Sequence, residues 1–222
     1  MQKFDTPAPI SAVLDIPAGR VQFIAADRAD TAVEVRPVDA SKGRDVKLAE
    51  QTTVEYGDGV LRIEAPTKNQ RFGHPGSVEV TVQLPAGSQV QVKAVAAEFR
   101  AVGRFGDVAF EGAYGSTKID EAATIRLTSV AGDVTVGRLD GPGQISTSKG
   151  DIRVTEAVSG TLVLSTQAGD VSVGAATGVS ASLDAGTSYG RVQNALKNTE
   201  GAAAALNIHA TTAYGDIVAR SL

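Results

Sequence analysis

A short unit that begins with glycine and aspartate returns at nearly even intervals along the C-terminal half of the chain. Its complete copies, Gly-Asp-aliphatic-x followed by another apolar residue, start at Gly106, Gly132, Gly150, Gly169 and Gly215, and degenerate copies start at Gly115 and Gly190. From Gly115 to Gly215 the successive glycines are 17, 18, 19, 21 and 25 residues apart. A period of this length, with similar residues behind each glycine, indicates a stack of equivalent structural units.

Each repeat contains two predicted strands. Before the glycine, apolar and polar residues alternate in Thr124–Thr128, Thr161–Ser165 and Ala205–His209, and the residues after the glycine alternate in the same way. This period of two is typical of a strand with one buried face. One coil cannot bury its apolar face alone, whereas stacked coils can. We therefore predict an all-β, parallel β-solenoid with rungs about 4.8 Å apart.

The predicted core of this solenoid consists of the aliphatic residues on the inward phase of the strands. These are Ile125, Leu127, Val134, Val136, Ile152, Val154, Leu162, Leu164, Val171, Val173, Leu206, Ile208 and Ile217. A left-handed hexapeptide helix would require an aliphatic residue every six positions, but Asp140 and Ser146 follow Val134 at that spacing. A β-sandwich would match the strand spacing, but it would not explain why Gly-Asp returns at every second strand.

The N-terminal third is also predicted to be β, without a strict period. Within it, Lys42–Glu50 is charged and predicts a short helical turn, Tyr56–Val60 predicts a hairpin turn, and Arg71–Gly76 predicts a loop. Such a region can cover the open end of a solenoid, whose first rung would otherwise expose unpaired backbone groups. We therefore predict an N-terminal β-rich capping region over residues 1–88, continuous with solenoid repeats of about 18 residues over 89–222.

Three features together resemble a known family. They are the serial Gly-Asp units, the segment Leu84-Pro85-Ala86-Gly87 and the ending Thr212-Ala213-Tyr214-Gly215-Asp216-Ile217. These resemble the bacterial "putative adhesin" β-strand-repeat family, a domain of unknown function common in actinobacteria, over essentially the whole chain. The resemblance implies a right-handed parallel β-solenoid with no established activity, and it offers no catalytic residues to transfer. The word adhesin implies display at a surface.

Composition and charge exclude several classes of function. The chain has no cysteine, which removes disulfides, thiol nucleophiles and cysteine-ligated metals. A net charge of −4 disfavours nucleic acid or anionic lipid as a general partner. No segment approaches the roughly 18 apolar residues of a membrane-spanning helix, and Met1–Pro7 lacks the apolar run of a signal peptide. We therefore expect a cytoplasmic protein without a membrane span.

The residues that follow the repeat glycines are predicted to form a column across the rungs. In chain order they are Ser116, Asp133, Asp151, Asp170, Arg191 and Asp216. Turn aspartates accept hydrogen bonds from nearby amides, so we predict a structural role and neither a metal nor a cofactor. The alternative is a Ca²⁺ site at Asp133, Asp151 and Asp170, since Ca²⁺ prefers several oxygen ligands.

Arg191 is expected to lie between Asp170 and Asp216 in this column. The rungs on either side of Gly190 are longer than the others, so extra residues are expected to loop out within 194–204.

The remaining candidates are aromatic and histidine side chains. Tyr114, Tyr189 and Tyr214 each precede a repeat glycine and could form a binding patch or pack at the turns. His74 and His209 lack a neighbouring nucleophile and acid, and His209 is expected at the surface. The absence of tryptophan and the short turns disfavour a groove for cleaving polysaccharide.

The predicted function is therefore a non-catalytic, rigid scaffold or protein-interaction module, and not an enzyme. It would act through an unidentified protein partner or as a homo-oligomer. The alternatives are a polysaccharide-binding or carbohydrate-active β-helix protein and a Ca²⁺-dependent surface module of the adhesin type.

Overall fold

The structure is a computed structural model that describes residues 1–66 and 76–222. The strands are β1 (Gln2–Asp5), β2 (Ser11–Ala26), β3 (Asp30–Pro37), β4 (Thr53–Gly57), β5 (Val60–Glu64), β6 (Val78–Pro85), β7 (Gln89–Tyr114), β8 (Thr117–Thr128), β9 (Val134–Leu139), β10 (Gly143–Ser146), β11 (Ile152–Ala157), β12 (Gly160–Ser165), β13 (Val171–Ala175), β14 (Ala181–Tyr189), β15 (Val192–Ala195), β16 (Leu206–Tyr214) and β17 (Ile217–Ser221). One α-helix, α1 (Gly43–Gln51), and a 3₁₀ turn, Gly201–Ala203, complete the described elements. None of the described helices is long and apolar enough to cross a membrane. The predicted all-β solenoid class is confirmed.

The described chain divides into two compact units, Met1–Gly115 and Ser116–Leu222. Strand β7 begins at Gln89, where the sequence predicts the repeats to begin, and pairs with β2 in the first unit. The division into a capping region (1–88) and solenoid repeats (89–222) stays a prediction.

In the first unit, β2 lies between strands that come later in the chain. It pairs in parallel with β5 and β6 on one side and with β7 on the other. Strand β3 is antiparallel to β6 and to β1, while β4 is antiparallel to β5. The buried rings of Phe23, Phe99 and Phe110 fill this core, with the last two stacked 5.3 Å apart.

Two local predictions for the first unit are confirmed. The predicted helical turn is α1, which buries Leu48. The predicted hairpin turn joins β4 to β5 through Asp58 and Gly59, both at positive φ, as a two-residue hairpin loop requires. Of the predicted loop Arg71–Gly76, only Gly76 lies within the described residues.

The second unit contains two parallel stacks of strands. The first half of β8 pairs with β9, and that stack continues through β11, β13 and β17 to β15. The second half of β8 pairs with β10, and that stack continues through β12 and β16 to β14. We call a rung the strand before a repeat glycine together with the strand after it. The rungs are therefore β8–β9, β10–β11, β12–β13, β16–β17 and β14–β15.

The spatial order of these rungs differs from their order in the chain. Strands β14 and β15 follow β13 in the chain but lie two levels beyond it. The chain then returns, and β16 and β17 occupy the level between them, paired with β12 and β13 on one side and with β14 and β15 on the other. The last strands of the chain therefore have paired neighbours on both sides. The rung β14–β15, called the terminal rung below, lies at the edge.

The predicted inward face of the repeats is confirmed. Every residue predicted for the core is buried, and none exposes more than 4% of its surface. In the second unit this core is built mainly from aliphatic residues, together with buried serine and threonine residues at the glycine corners.

Candidate interaction site at the terminal rung

The aspartates that follow the repeat glycines connect each rung to the next. The Oδ1 atom of Asp133 accepts the backbone N–H of Asp151 at 2.9 Å, and Asp151 accepts that of Asp170 at 2.8 Å. Asp170 in turn accepts the N–H of Asp216 at 2.8 Å. These carboxylates therefore act as acceptors for amides of the neighbouring rung, rather than for amides of their own turn.

A second set of contacts at the same corner was missed by the sequence reasoning. Three residues before each of the last five repeat glycines, Gly132 to Gly215, stands a serine or a threonine: Ser129, Thr147, Thr166, Thr187 and Thr212. The hydroxyl of Thr166 donates to the carbonyl oxygen of Gly150 at 3.1 Å. The hydroxyls of Thr187 and Thr212 donate to the glycine carbonyls of their neighbouring rungs at 3.0 Å. The recurrence of serine or threonine at this spacing is the signal that could have revealed it.

The glycine at this corner is required by close packing between rungs. Gly150 has φ of +136°, a region that side-chain-bearing residues rarely adopt. A Cβ atom at this position would lie against the carbonyl oxygen of Gly132 in the adjacent rung. The Thr-x-x-Gly-Asp pattern is therefore a structural corner that locks successive rungs together.

The expectation that Arg191 lies between Asp170 and Asp216 is wrong. Asp170 contacts Asp216 directly, and Arg191 follows Asp216 at the end of the column. Stacking in chain order would place Arg191 between these aspartates, but β17 lies between β13 and β15. The extra residues do leave the strands between Ala195 and Leu206, and this segment carries the chain back to the inserted level.

Arg191 contacts Asp216 through both its backbone and its side chain. Asp216 Oδ1 accepts the Arg191 N–H at 2.9 Å, and Asp216 Oδ2 accepts the guanidinium Nη2–H at 3.0 Å. The backbone hydrogen bond, the side-chain hydrogen bond and the positive charge together lower the pKa of Asp216 below its usual value. The Arg191 side chain nevertheless remains 78% exposed.

The acidic column does not form a compact metal centre within the described residues, where no group of three His, Cys, Asp or Glu is placed to hold a metal ion. One oxygen each of Asp133, Asp151 and Asp170 is already bonded to an amide. Ca²⁺ binding at these residues stays an untested alternative.

Two of the three candidate tyrosines lie together. The rings of Tyr189 and Tyr214 stack at a centroid distance of 4.9 Å and an interplanar angle of 3°. Both rings are largely exposed, as is Tyr114 in the first unit. Because Tyr189 belongs to the terminal rung, its second face points toward the open side of that rung.

The two histidines give no catalytic arrangement among the described residues. His209 is exposed on β16 as predicted, and its Nδ1 lies 3.3 Å from Asp184 Oδ2. His74 lies outside the described residues.

The terminal rung has a paired strand on one side only. Within the described part of the chain, β15 pairs with β17 and β14 pairs with β16. At interior rungs, the N–H groups of the glycine and of the aliphatic residue two positions later donate to the next rung, as Gly215 and Ile217 do toward the terminal rung. The equivalent N–H groups of Gly190 and Val192 therefore point to the side where the described chain places no strand.

The side chains of the terminal rung are also exposed. Val192 is 44% exposed, whereas Ile217, at the same position in the adjacent rung, is 1% exposed. Asn194 stands opposite the buried Ala219, at a position that is aliphatic in the other rungs. We call the segment Tyr189-Gly190-Arg191-Val192 the terminal corner. It combines an aromatic face, a guanidinium group and two N–H donors for which the described part of the chain offers no partner strand.

Sequence comparison assigns the family of the chain. The profile of the family described as Toastrack DUF4097 matches residues 13–221. The chain belongs to this family. No curated protein matches this Toastrack chain significantly.

Solved structures resemble the Toastrack chain along nearly its whole length. The crystal structure of a "putative adhesin" from Bacteroides fragilis has a TM-score of 0.60 at 13% identity, covering 98% of this chain and 95% of that one. A "putative lipid binding protein" from Parabacteroides distasonis has a TM-score of 0.47 at 12% identity, with coverage of 98% and 95%. At these identities the likeness to the Bacteroides protein shows a shared fold, and the actinobacterial type stays a prediction.

Proposed function

We propose that this chain is a non-catalytic interaction module whose terminal rung binds an extended strand of a protein partner. The observation that carries this proposal is the edge of β15, which pairs with β17 on one side and with no described strand on the other, beside the exposed Val192 side chain. Exposed strand edges of this kind are templates for strand addition, in which backbone hydrogen bonds supply much of the affinity.

The rungs behind this edge provide a fixed platform. Aspartate and threonine contacts at the glycine corner tie each rung to its neighbour, and the aliphatic core behind them is fully buried. A partner strand would therefore meet backbone groups that are already held in the geometry of a parallel sheet. Such preorganisation reduces the loss of conformational freedom on binding.

Site-specific photo-cross-linking in the host cells tests this function. A benzophenone amino acid at Val192 is compared with one at Val163, a 38% exposed valine on β12, which is paired on both sides. We expect a discrete protein adduct from Val192 and none from Val163. The captured protein, once purified, should bind the wild-type chain and not Val192→Pro, because proline removes the free N–H. Equal adducts from both positions would contradict the proposal.

The stacked tyrosines favour a second candidate function, the binding of a glycan. Tyr189 is held by Tyr214 and offers an open ring face beside the exposed Arg191 guanidinium, and sugars commonly stack on such faces. The test is a glycan array probed with wild type, Tyr189→Ala and Tyr114→Ala, the last being an exposed tyrosine before a repeat glycine in the first unit. Glycan binding lost only in Tyr189→Ala would support this function.

The cytoplasmic location expected from the sequence stays a prediction. Fractionation of the host cells, followed by immunoblotting, tests it.

A further inference from the structure

The rungs that contain Gly150, Gly169 and Gly215 each offer the next rung the same set of hydrogen-bonding groups at the glycine corner. At the Gly169 corner, the glycine N–H donates to the Tyr214 carbonyl at 2.9 Å, and its carbonyl accepts the Thr212 hydroxyl at 3.0 Å. The Asp170 carboxylate accepts the N–H of Asp216 at 2.8 Å. The next rung fits because it presents a carbonyl, a hydroxyl and an N–H in the same order.

The terminal corner repeats the backbone part of this set but changes the side chain. Gly190 supplies the N–H and the carbonyl, whereas Arg191 stands where the four rungs β8–β9, β10–β11, β12–β13 and β16–β17 have aspartate. A guanidinium has no acceptor atom and presents planar donors that match a carboxylate. The Arg191 guanidinium forms a hydrogen bond with Asp216 Oδ2, and 78% of the side chain is exposed.

The charge at this position therefore determines which strand fits best. A strand added in parallel to β15 would lie about 4.8 Å beyond it, which places the side chain opposite Arg191 within reach of the guanidinium. Opposite charges at such neighbouring positions are favourable, and like charges are unfavourable.

We infer that the terminal rung binds an extended protein segment that runs parallel to β15 and carries a carboxylate opposite Arg191. This inference rests on the proposed strand-binding function and adds the chemistry that selects the partner. The backbone groups of Gly190 and Val192 supply strand binding in general, and Arg191 supplies the preference for an acidic segment.

A peptide from the chain itself provides the probe, since residues 166–175 carry the complete corner Thr-x-x-Gly-Asp. A labelled peptide of this sequence and its Asp170→Lys counterpart are titrated with the full chain, and fluorescence anisotropy is measured. We expect the wild type to prefer the acidic peptide by about five- to tenfold, as a favourable contact replaced by a repulsive one implies. Arg191→Asp should reverse this preference, and Val192→Pro should weaken both peptides.

The control is Arg153→Asp, which changes the same charge at an exposed arginine on β11, between two paired strands. It should bind like the wild type. Melting curves identify any variant that fails to fold, and the Arg191→Asp comparison suffices if Val192→Pro is unstable.

Several outcomes would overturn the inference, and they differ in what else they affect. In one outcome, the wild type and Arg191→Asp bind both peptides equally well and Val192→Pro binds neither. This result would refute the preference for an acidic segment but would still support strand binding. Failure of both peptides to bind also removes the inference, while the Val192 cross-link decides the proposed function independently. Binding of an oligogalacturonide that survives Val192→Pro would assign the corner to an acidic glycan, and a dimer lost in Val192→Pro would assign it to a second copy.

Discussion

Arg191 and Asp216 lie on adjacent rungs and are joined by two hydrogen bonds, although 25 residues of chain separate them and the later residue occupies the inner rung. The last coil of the chain is thus inserted between two coils that precede it. Strand β2 has a comparable place in the first unit, between β5 and β6 on one side and β7 on the other. In both units a strand near a chain end is paired on both sides.

Because β16 and β17 are inserted between two other rungs, substitutions at the equivalent positions Ile217 and Val192 should reduce the stability unequally. Ile217→Ala should destabilise the protein by about 2–5 kcal/mol, because it opens a cavity in a core position. Val192→Ala should change the stability by no more than about 0.5 kcal/mol, as is usual for exposed sites. Chemical denaturation of both variants checks this. If the rungs stacked in chain order, Val192 would lie in an interior rung and Val192→Ala would cause the larger loss of stability. Such a result would contradict the described topology.

Reversing the charge of Arg191 should destabilise the terminal rung. Arg191→Asp places a carboxylate beside Asp216, so it should melt below Arg191→Ala, and added salt should narrow the difference. Arg153→Asp is the matched control, because Arg153 is exposed on β11, which is paired on both sides. Melting at low and high salt measures the effect. If Arg191→Asp melts no lower than Arg191→Ala in low salt, a charge at position 191 does not interact measurably with Asp216.

The same pair predicts a difference in acid stability. Because hydrogen bonds from Arg191 lower the pKa of Asp216 in the folded state, the stabilisation is present above the unfolded pKa and is lost as pH falls through the lowered value. Arg191→Ala removes the side-chain contribution and keeps the backbone hydrogen bond. The stability difference between wild type and Arg191→Ala should therefore be constant near neutral pH and shrink in acid. Denaturant titrations across this range test the prediction, and a difference that grows in acid would contradict it.

The column of aspartates is expected to act through hydrogen bonds rather than through charge. Asp151→Asn keeps an acceptor for the Asp170 N–H and should leave the stability nearly unchanged. Asp151→Ala removes that acceptor and should cost about 0.5–1.5 kcal/mol, toward the lower end because the turn is exposed. Equal losses in both variants would indicate that the negative charge itself matters.

Calcium provides an independent test of the same column. We expect saturating Ca²⁺ or EDTA to shift the melting temperature negligibly. A ligand at 100 times its Kd would stabilise the protein by about 2.7 kcal/mol, which for a chain of this size means a shift of roughly 5–10 °C. A shift of that size, abolished by Asp151→Asn, would establish the alternative metal site at Asp133, Asp151 and Asp170.

The serine and threonine hydroxyl groups at the glycine corners should differ in their contribution to the stability of the fold. Thr166→Val removes the hydrogen bond to Gly150 and should cost about 1 kcal/mol. Ser129 is buried and its hydroxyl has no partner within the described residues, so Ser129→Ala should be neutral or stabilising. Denaturation midpoints of the two variants provide the comparison. A larger loss in Ser129→Ala would show that its hydroxyl has a partner in solution.

Much of the fold followed from the sequence because its signals are local. Alternation fixes which side chains of a strand share a face, so the buried positions such as Val134, Leu162 and Ile208 could be assigned before any pairing was known. The repeat glycines likewise marked the corners. The threonine contacts could have been found in the same way, from the spacing of Thr166 and Thr212 to their glycines.

Only the tertiary structure decided the order of the rungs. Equivalent repeats offer each other nearly identical backbone hydrogen bonds, so the pairing pattern alone does not distinguish one stacking order from another. The stacking order depends on which rung loses the least stabilising burial when it lies at the edge of the stack. Ile217 and Ala219 are buried in the inserted rung, whereas Arg191, Val192 and Asn194 are exposed in the terminal rung. Asn194 stands at a position that is buried in the interior rungs, as Ala219 and Val173 are. Burying an asparagine without a partner is costly, so this residue favours β15 at the outside and leaves the open edge where the candidate site lies.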